Sequence, residues 1–258
     1  MEFQDILYEK KDGVAKITIN RPQSLNAFTG DTMYEMSQAL NDAWYDKDIV
    51  VVVLTGAGDK AFCTGGDVKA RKPEGGYGGP PTHFTRPAEL IRTIPKVVIA
   101  MVNGFAIGGG QVLQLQCDLA IASETAVFGQ VGPRFGSFDA GFGSAYLARV
   151  VGQRKAREMW FLCRRYSAKQ ALEMGLVNWV VPADRLEEET LKICKEITQL
   201  SPTAIKVLKA SFYADVENIG GIEAMFYPSL EMYYGTEEAA EGGKAFLAKR
   251  PPDYSKWR

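Results

Sequence analysis

Polar and apolar residues alternate over Phe3 to Tyr8 and again over Val14 to Ile19, with Lys11-Asp12-Gly13 between the two stretches. A period of two predicts strands, and an Asp-Gly step between them predicts a tight hairpin. From Asp31 the period changes, and Met33, Met36, Leu40 and Ala43 recur at helical spacing. Val50 to Leu54 and Val97 to Val102 are apolar throughout, which predicts buried strands; Leu119 to Ala122 and Val127-Phe128 predict shorter ones. Arg154 to Phe161, Ala168 to Met174 and Leu186 to Leu200 carry helical periodicity, and beyond Ser201-Pro202 the chain reads as helical to about residue 248. Residues 1–199 are therefore expected to form a core and 200–258 a C-terminal helical region. Strands interleaved with helices predict an α/β protein. No internal repeat of residues is evident.

Glycine breaks this pattern at informative places. Cys63-Thr64-Gly65-Gly66-Asp67 and Gly104-Phe105-Ala106-Ile107-Gly108-Gly109-Gly110 each follow an apolar run, and Gln111 to Gln116 reads as the start of a helix. Glycine lets bare backbone approach a ligand, and a turn leading into a helix leaves N–H groups free to meet an anion. If both turns face one cavity, the amides of Gly66 and Gly109 are candidates for the two donors of an oxyanion hole. A tight structural turn is the plainer alternative for either one alone. A third glycine-rich stretch runs from Gly132 to Gly143, and Arg71 to Thr85 reads as a long loop rich in glycine and proline. Neither the G-x-G-x-x-G spacing after a first strand nor a G-x-x-x-x-G-K-[ST] loop is present, so nucleotide chemistry has little support.

The chain has 258 residues, 46% of them hydrophobic, enough to bury a full core. With 30 basic and 31 acidic residues and no like-charge block, neither nucleic acid nor a membrane surface is expected as a partner. No apolar run approaches 18 residues and the first twenty carry Asp5, Glu9, Lys10 and Lys11, so a cytoplasmic location is expected. Cys63, Cys117, Cys163 and Cys194 lie in apolar settings without zinc spacing, and are expected to be buried reduced thiols. With His83 as the lone histidine, no metal site is expected.

Arg21-Pro22 with Asn26-Ala27, Ala61-Phe62-Cys63-Thr64-Gly65-Gly66-Asp67, the Gly104 to Gly110 turn and Phe246 to Arg250 follow the order and spacing of the crotonase (enoyl-CoA hydratase/isomerase) superfamily, which the chain resembles over nearly its whole length. The resemblance implies a spiral of ββα units with a C-terminal helical region used for trimer formation, trimers in turn pairing into hexamers in some members. It implies an acyl-CoA substrate whose thioester oxygen meets the Gly66 and Gly109 amides. CoA would then lie near Ser24, Leu25, Ala27 and Thr64, with Phe246 and Lys249 beside the CoA of their own or a neighbouring subunit. Coenzyme A enters only as part of the substrate, and no covalently bound cofactor is implied.

The glutamates that hold water in the superfamily's hydratases are missing, since those positions read Val112 and Gly132. Neither side chain transfers a proton, so ordinary enoyl-CoA hydration is not expected. Phe128-Gly129-Gln130-Val131-Gly132-Pro133 followed by Gly136-Ser137-Phe138-Asp139 is similar to the branch containing 2-ketocyclohexanecarboxyl-CoA hydrolase and 1,4-dihydroxy-2-naphthoyl-CoA synthase. That likeness implies Asp139, Ser137 and Tyr234 as active-site residues, with Ser137 holding Asp139. It also implies Tyr77 as a further candidate, Lys69 and Arg71 near CoA and substrate, and room at Gly132 for water or bicarbonate. Both reactions pass through a thioester enolate. Thr64, Val131 and Ser201-Pro202-Thr203-Ala204 favour the ring-opening hydrolase; ring closure by the synthase stays open, as does a CoA-binding module without catalysis.

Overall fold

The computed structural model describes residues 3–70, 82–139 and 141–257. Strands β1 (Ile6–Lys11) and β2 (Val14–Ile19) form the expected hairpin, with Lys11 opposite Val14, so that Asp12 and Gly13 alone make the turn. Both have positive φ, 50° and 80°, the geometry for which an Asp-Gly pair is suited. Helix α1 (Gly30–Tyr45) follows. Thr29 and Thr32 cap its N-terminus reciprocally, and Met33, Met36, Leu40 and Ala43 are buried, as their spacing predicts.

The chain then runs through β3 (Val51–Gly56), β4 (Ala61–Cys63), α2 (Thr82–Thr93), β5 (Val97–Val102), β6 (Phe105–Ile107), α3 (Gly109–Gln116), β7 (Leu119–Ser123) and β8 (Val127–Gly129). The first strand of each pair joins a six-stranded sheet and the second a four-stranded sheet. This is a ββα unit repeated in space, the crotonase fold. Helices α4 (Leu147–Val151) and α5 (Gln153–Leu162), strand β9 (Arg165–Ser167), helix α6 (Ala168–Glu173), strand β10 (Trp179–Val181) and helix α7 (Leu186–Thr198) complete this part. The large sheet has the order β1-β2-β3-β5-β7-β10, parallel from β2 onward, and the small one β4-β6-β8-β9.

The central strands are covered on both faces, which is why their sequences are apolar without alternation. Val52, Leu54, Val98 and Ala100 face a core shared with α1 and α2, while Val51, Val53, Ile99 and Ile121 pack against Leu186, Cys194 and Ile197 of α7. All four cysteines are buried and unpaired, and burial pushes the Cys63 thiol up to about 12. Helices α8 (Pro202–Ala214), α9 (Glu217–Tyr234) and α10 (Glu237–Leu247) form the C-terminal region. Lys209 on α8 is buried, and its Nζ donates to the carbonyls of Ile91 (2.8 Å) and Lys96 (2.9 Å) and to Asp118 Oδ2 (2.6 Å).

Two expectations change. Val50 to Leu54 does not lead straight into the first glycine turn, because β4 intervenes and supplies the edge from which that turn springs. The predicted loop to Thr85 ends earlier, since α2 begins at Thr82 and takes in the backbone of His83. Among the described residues, no helix is long and apolar enough to cross a membrane, and no cluster of three His, Cys, Asp or Glu is placed to hold a metal.

Candidate active site

The Arg21-Pro22 and Asn26-Ala27 pairs form the scaffold of the site. Asn26 is buried in a left-handed turn with Leu25 (φ 55° and 52°), and its Nδ2 donates to the carbonyls of Ala57 (2.9 Å) and Ala61 (2.7 Å). Arg21 donates to the Ala27 carbonyl (2.5 Å) and pairs with Asp67 (3.1 Å). These bonds fasten the Ser24–Ala27 loop to the first glycine turn, and Thr64 adds another by donating to the Leu25 carbonyl (3.2 Å).

The two glycine turns touch. A Cβ added to Gly65 would lie 3.0 Å from the Gly109 nitrogen, and one on Gly110 would lie 1.9 Å from the Cys63 carbonyl oxygen. Phe28 bridges the first turn by donating to the Gly65 carbonyl (2.9 Å) and accepting from the Asp67 N–H (2.8 Å), which passes over the Gly66 N–H between them. Gly109 is the first residue of α3, where an amide has no acceptor within its own helix. The N–H groups of Gly66 and Gly109 make no hydrogen bond to the described residues, and both glycines line one cavity of about 1000 Å³.

Ser24, Leu25, Ala27, Thr64, Lys69, Gly132, Ser137, Asp139, Tyr234 and Phe246 line the same cavity, as does Val112. Phe246 packs against Phe135 with the rings tilted by 55° and their centroids 5.0 Å apart. Lys249 does not reach the lining; it is exposed, two residues beyond the end of α10, in a left-handed conformation (φ 53°). Arg71 and Tyr77 lie outside the described residues.

Ser137 is bonded to Tyr234, Oγ to phenol oxygen at 2.7 Å, and not to Asp139 as expected. A Cβ on Gly132 would meet the Ser137 carbonyl oxygen at 2.7 Å and the Trp160 ring at 2.8 Å, so close packing on that side requires the glycine, while the residue also lines the cavity.

Asp139 is half-buried, with Oδ1 shut off from solvent and without a hydrogen-bond partner. Burial, and then the charge of Glu223, push its carboxyl up to about 7, against the pull of the Gly143 and Gly141 amides and the Ser144 hydroxyl. Gly143 brings it beside Val112. A Cβ on Gly143 would lie 2.7 Å from Asp139 Cγ and 2.6 Å from Val112 Cγ2. The Trp160 indole fixes this turn by donating to the Gly143 carbonyl (2.7 Å).

Glu223 and Gln130 also line the cavity and were not singled out in the sequence. Gln130 is fully buried, with both amide atoms unpartnered. Its place in the Phe128-Gly129-Gln130 run was the available signal; Glu223, inside a long C-terminal helix, gave none.

Residues 9–257 match the enoyl-CoA hydratase/isomerase family, and the chain belongs to it. Among solved structures it is similar to EchA1_1 of Mycobacterium paratuberculosis, with 32% identity, 98% of each chain covered and a TM-score of 0.88. A carnitinyl-CoA hydratase of Mycobacterium avium gives 32% identity over 99% of this chain and 100% of that one, TM-score 0.85. A methylmalonyl-CoA decarboxylase in complex with 2-nitronate-propionyl-CoA gives 27% over 98% and 99%, TM-score 0.83. The protein is an acyl-CoA-processing enzyme of the crotonase superfamily.

Proposed function

We propose that the protein opens the ring of a cyclic β-keto acyl-CoA by hydrolysis, through a thioester enolate. The observation that carries this reading is Asp139, a carboxyl group pushed up to about 7 beside Val112, in the same cavity as the free amides of Gly66 and Gly109. An acid that holds its proton near neutrality is suited to pass that proton to and fro at working pH.

In the forward direction Asp139, ionised, takes a proton from water as the oxygen adds to the ring ketone carbon. The bond between that carbon and the α-carbon then breaks, and its electron pair passes to the α-carbon and the thioester oxygen. The ketone carbon leaves as a carboxylic acid. Asp139 returns its proton to the α-carbon, giving an ω-carboxyacyl-CoA. The Gly66 and Gly109 amides hold the thioester oxygen while it is negative, each contributing roughly 3 kcal/mol by analogy with measured oxyanion donors. The Tyr234 phenol, held by Ser137, polarises the ketone. A structural relative that binds a nitronate analogue of propionyl-CoA supports the enolate step, because a nitronate carries its charge as an enolate does.

The second reading is ring closure, as in the naphthoyl-CoA synthases, which uses the same enolate in reverse. Several relatives are named hydratases, so water addition to a double bond is the third arm of the test. Full-length protein is incubated separately with 2-ketocyclohexanecarboxyl-CoA, o-succinylbenzoyl-CoA and crotonyl-CoA, and products are followed by mass. Gain of water on the first is the expected result. Loss of water from the second with no change in the first establishes ring closure, and gain of water on crotonyl-CoA alone replaces both readings with a hydratase.

A further inference from the structure

The turn that carries the active-site acid is gripped from three sides. A Cβ added to Gly143 would lie 2.7 Å from Asp139 Cγ, and one added to Gly141 would lie 2.9 Å from Glu223 Cβ on α9. Between the two glycines, the Phe142 ring is covered by the Arg92 guanidinium of α2, 3.6 Å from the ring centroid. Arg92 is buried; its Nη2 lies 3.7 Å from Glu223 Oε2, and its Nη1 donates to Gln116. Three residues of turn thus bring an aspartate, a glutamate and an arginine from three separate segments to one place.

We propose that Glu223, anchored by Arg92, is a positioning residue for Asp139: its Cα–Cγ stem packs on Gly141, in the turn that closes on Asp139, and its carboxyl group shares the cavity with that of Asp139, so that the site of the acid is fully formed only when α9 is docked. This inference rests on Asp139 being the acid–base group of the proposed reaction. Two carboxylates at one turn cannot both ionise freely, and the one left without a cation keeps its proton longer. Arg92 pairs with Glu223, while Asp139 Oδ1 has no hydrogen-bond partner. Burial and then Glu223 account for the upward displacement of Asp139. Burial and, to a smaller extent, Glu89 on α2 also raise the proton affinity of Glu223, and Arg92 pulls it back down; Tyr227 on α9 itself faces both Glu231 and Glu223. Tyr213 on α8 flanks Arg92 at 5.8 Å.

The test reads Asp139 directly and needs no substrate. Infrared difference spectra of the full chain with isotope-labelled aspartate, assigned by Asp139→Asn, give the midpoint at which the carboxyl ionises. In Glu223→Gln, with circular dichroism matching the wild type, that midpoint is expected to fall by roughly one pH unit, the scale of a neighbouring like charge. Should that variant not fold, Glu223→Asp keeps the charge but withdraws it by one methylene, and a smaller shift in the same direction is expected. A midpoint that is unmoved or raised in whichever variant folds overturns the inference. Because no turnover is measured, failure of the ring-opening assay leaves this result intact, and a null shift here leaves the ring-opening reaction to be judged by its own products.

Discussion

Asp139 is kept at an unfavourable place for a carboxylate, and that has opposite consequences for activity and stability. Its carboxyl sits at about 7 in the folded protein, against 3.8 for a free aspartate. A group whose folded value is raised stabilises the fold below its unfolded value and loses that contribution as pH rises through its folded value. Between about pH 4 and pH 7 the wild type therefore forfeits a few kcal/mol, on the order of 1.4 per unit of displacement. Asp139→Asn carries no such charge. It is expected to lose roughly 10²- to 10⁴-fold in turnover of the ring-opening substrate. At pH 8 it is expected to melt higher than the wild type by scanning calorimetry, with the gain shrinking toward pH 5. An Asn variant of unchanged melting temperature at pH 8 would remove the buried-charge account of this residue. Asp139 was legible in the sequence because it stands in a recognisable run; Glu223 was not, because nothing in a helical sequence tells which turn its carboxylate will reach.

At the scale of elements, what could be read depended on length and burial. β3, β5 and β7 were legible because four to six contiguous apolar residues have few other uses. β4, β6, β9 and β10 have three residues each, too few to show a period, and three of them belong to the small sheet that sets the glycine turns side by side. The spatial repeat of ββα units was hidden for the same reason, since every second strand is short. Lys209 was hidden as well, because a lysine on a helix normally reads as solvated. Here it joins α8 to the end of α2 and the start of β7, and burial lowers its affinity for a proton while Asp118 restores part of it. Lys209→Ala leaves Asp118 without its cation, still held by the Val98 N–H, and takes a donor from two carbonyls. By the usual cost of breaking a buried ion pair the variant is expected to lose roughly 3–5 kcal/mol in urea unfolding. A loss within experimental error of zero would mean that α8 is held by its apolar contacts alone.

At the scale of the whole molecule the C-terminal helices carry more apolar surface than a lone chain needs. Phe212 is 75% exposed and Met232 78%, and Leu208, Met225 and Leu247 are each more than half exposed. Large side chains gathered in one region and left open to water mark a surface that associates. The same helices contribute Glu223, Tyr234 and Phe246 to the cavity, and Phe246 lines it while half exposed. A neighbour covering that region would therefore seal one wall of the active site, and assembly and chemistry are expected to stand or fall together. We expect trimers, alone or paired, as the superfamily resemblance implies: light scattering on a sizing column should give three or six times the 28.4 kDa chain mass. Phe212→Glu, outside the cavity lining, should lower that mass and should weaken acyl-CoA binding in the same sample. Chains that run singly at micromolar concentration, or a Phe212→Glu variant that dissociates yet binds acyl-CoA as the wild type does, would break the link between the exposed helices and the cavity they border.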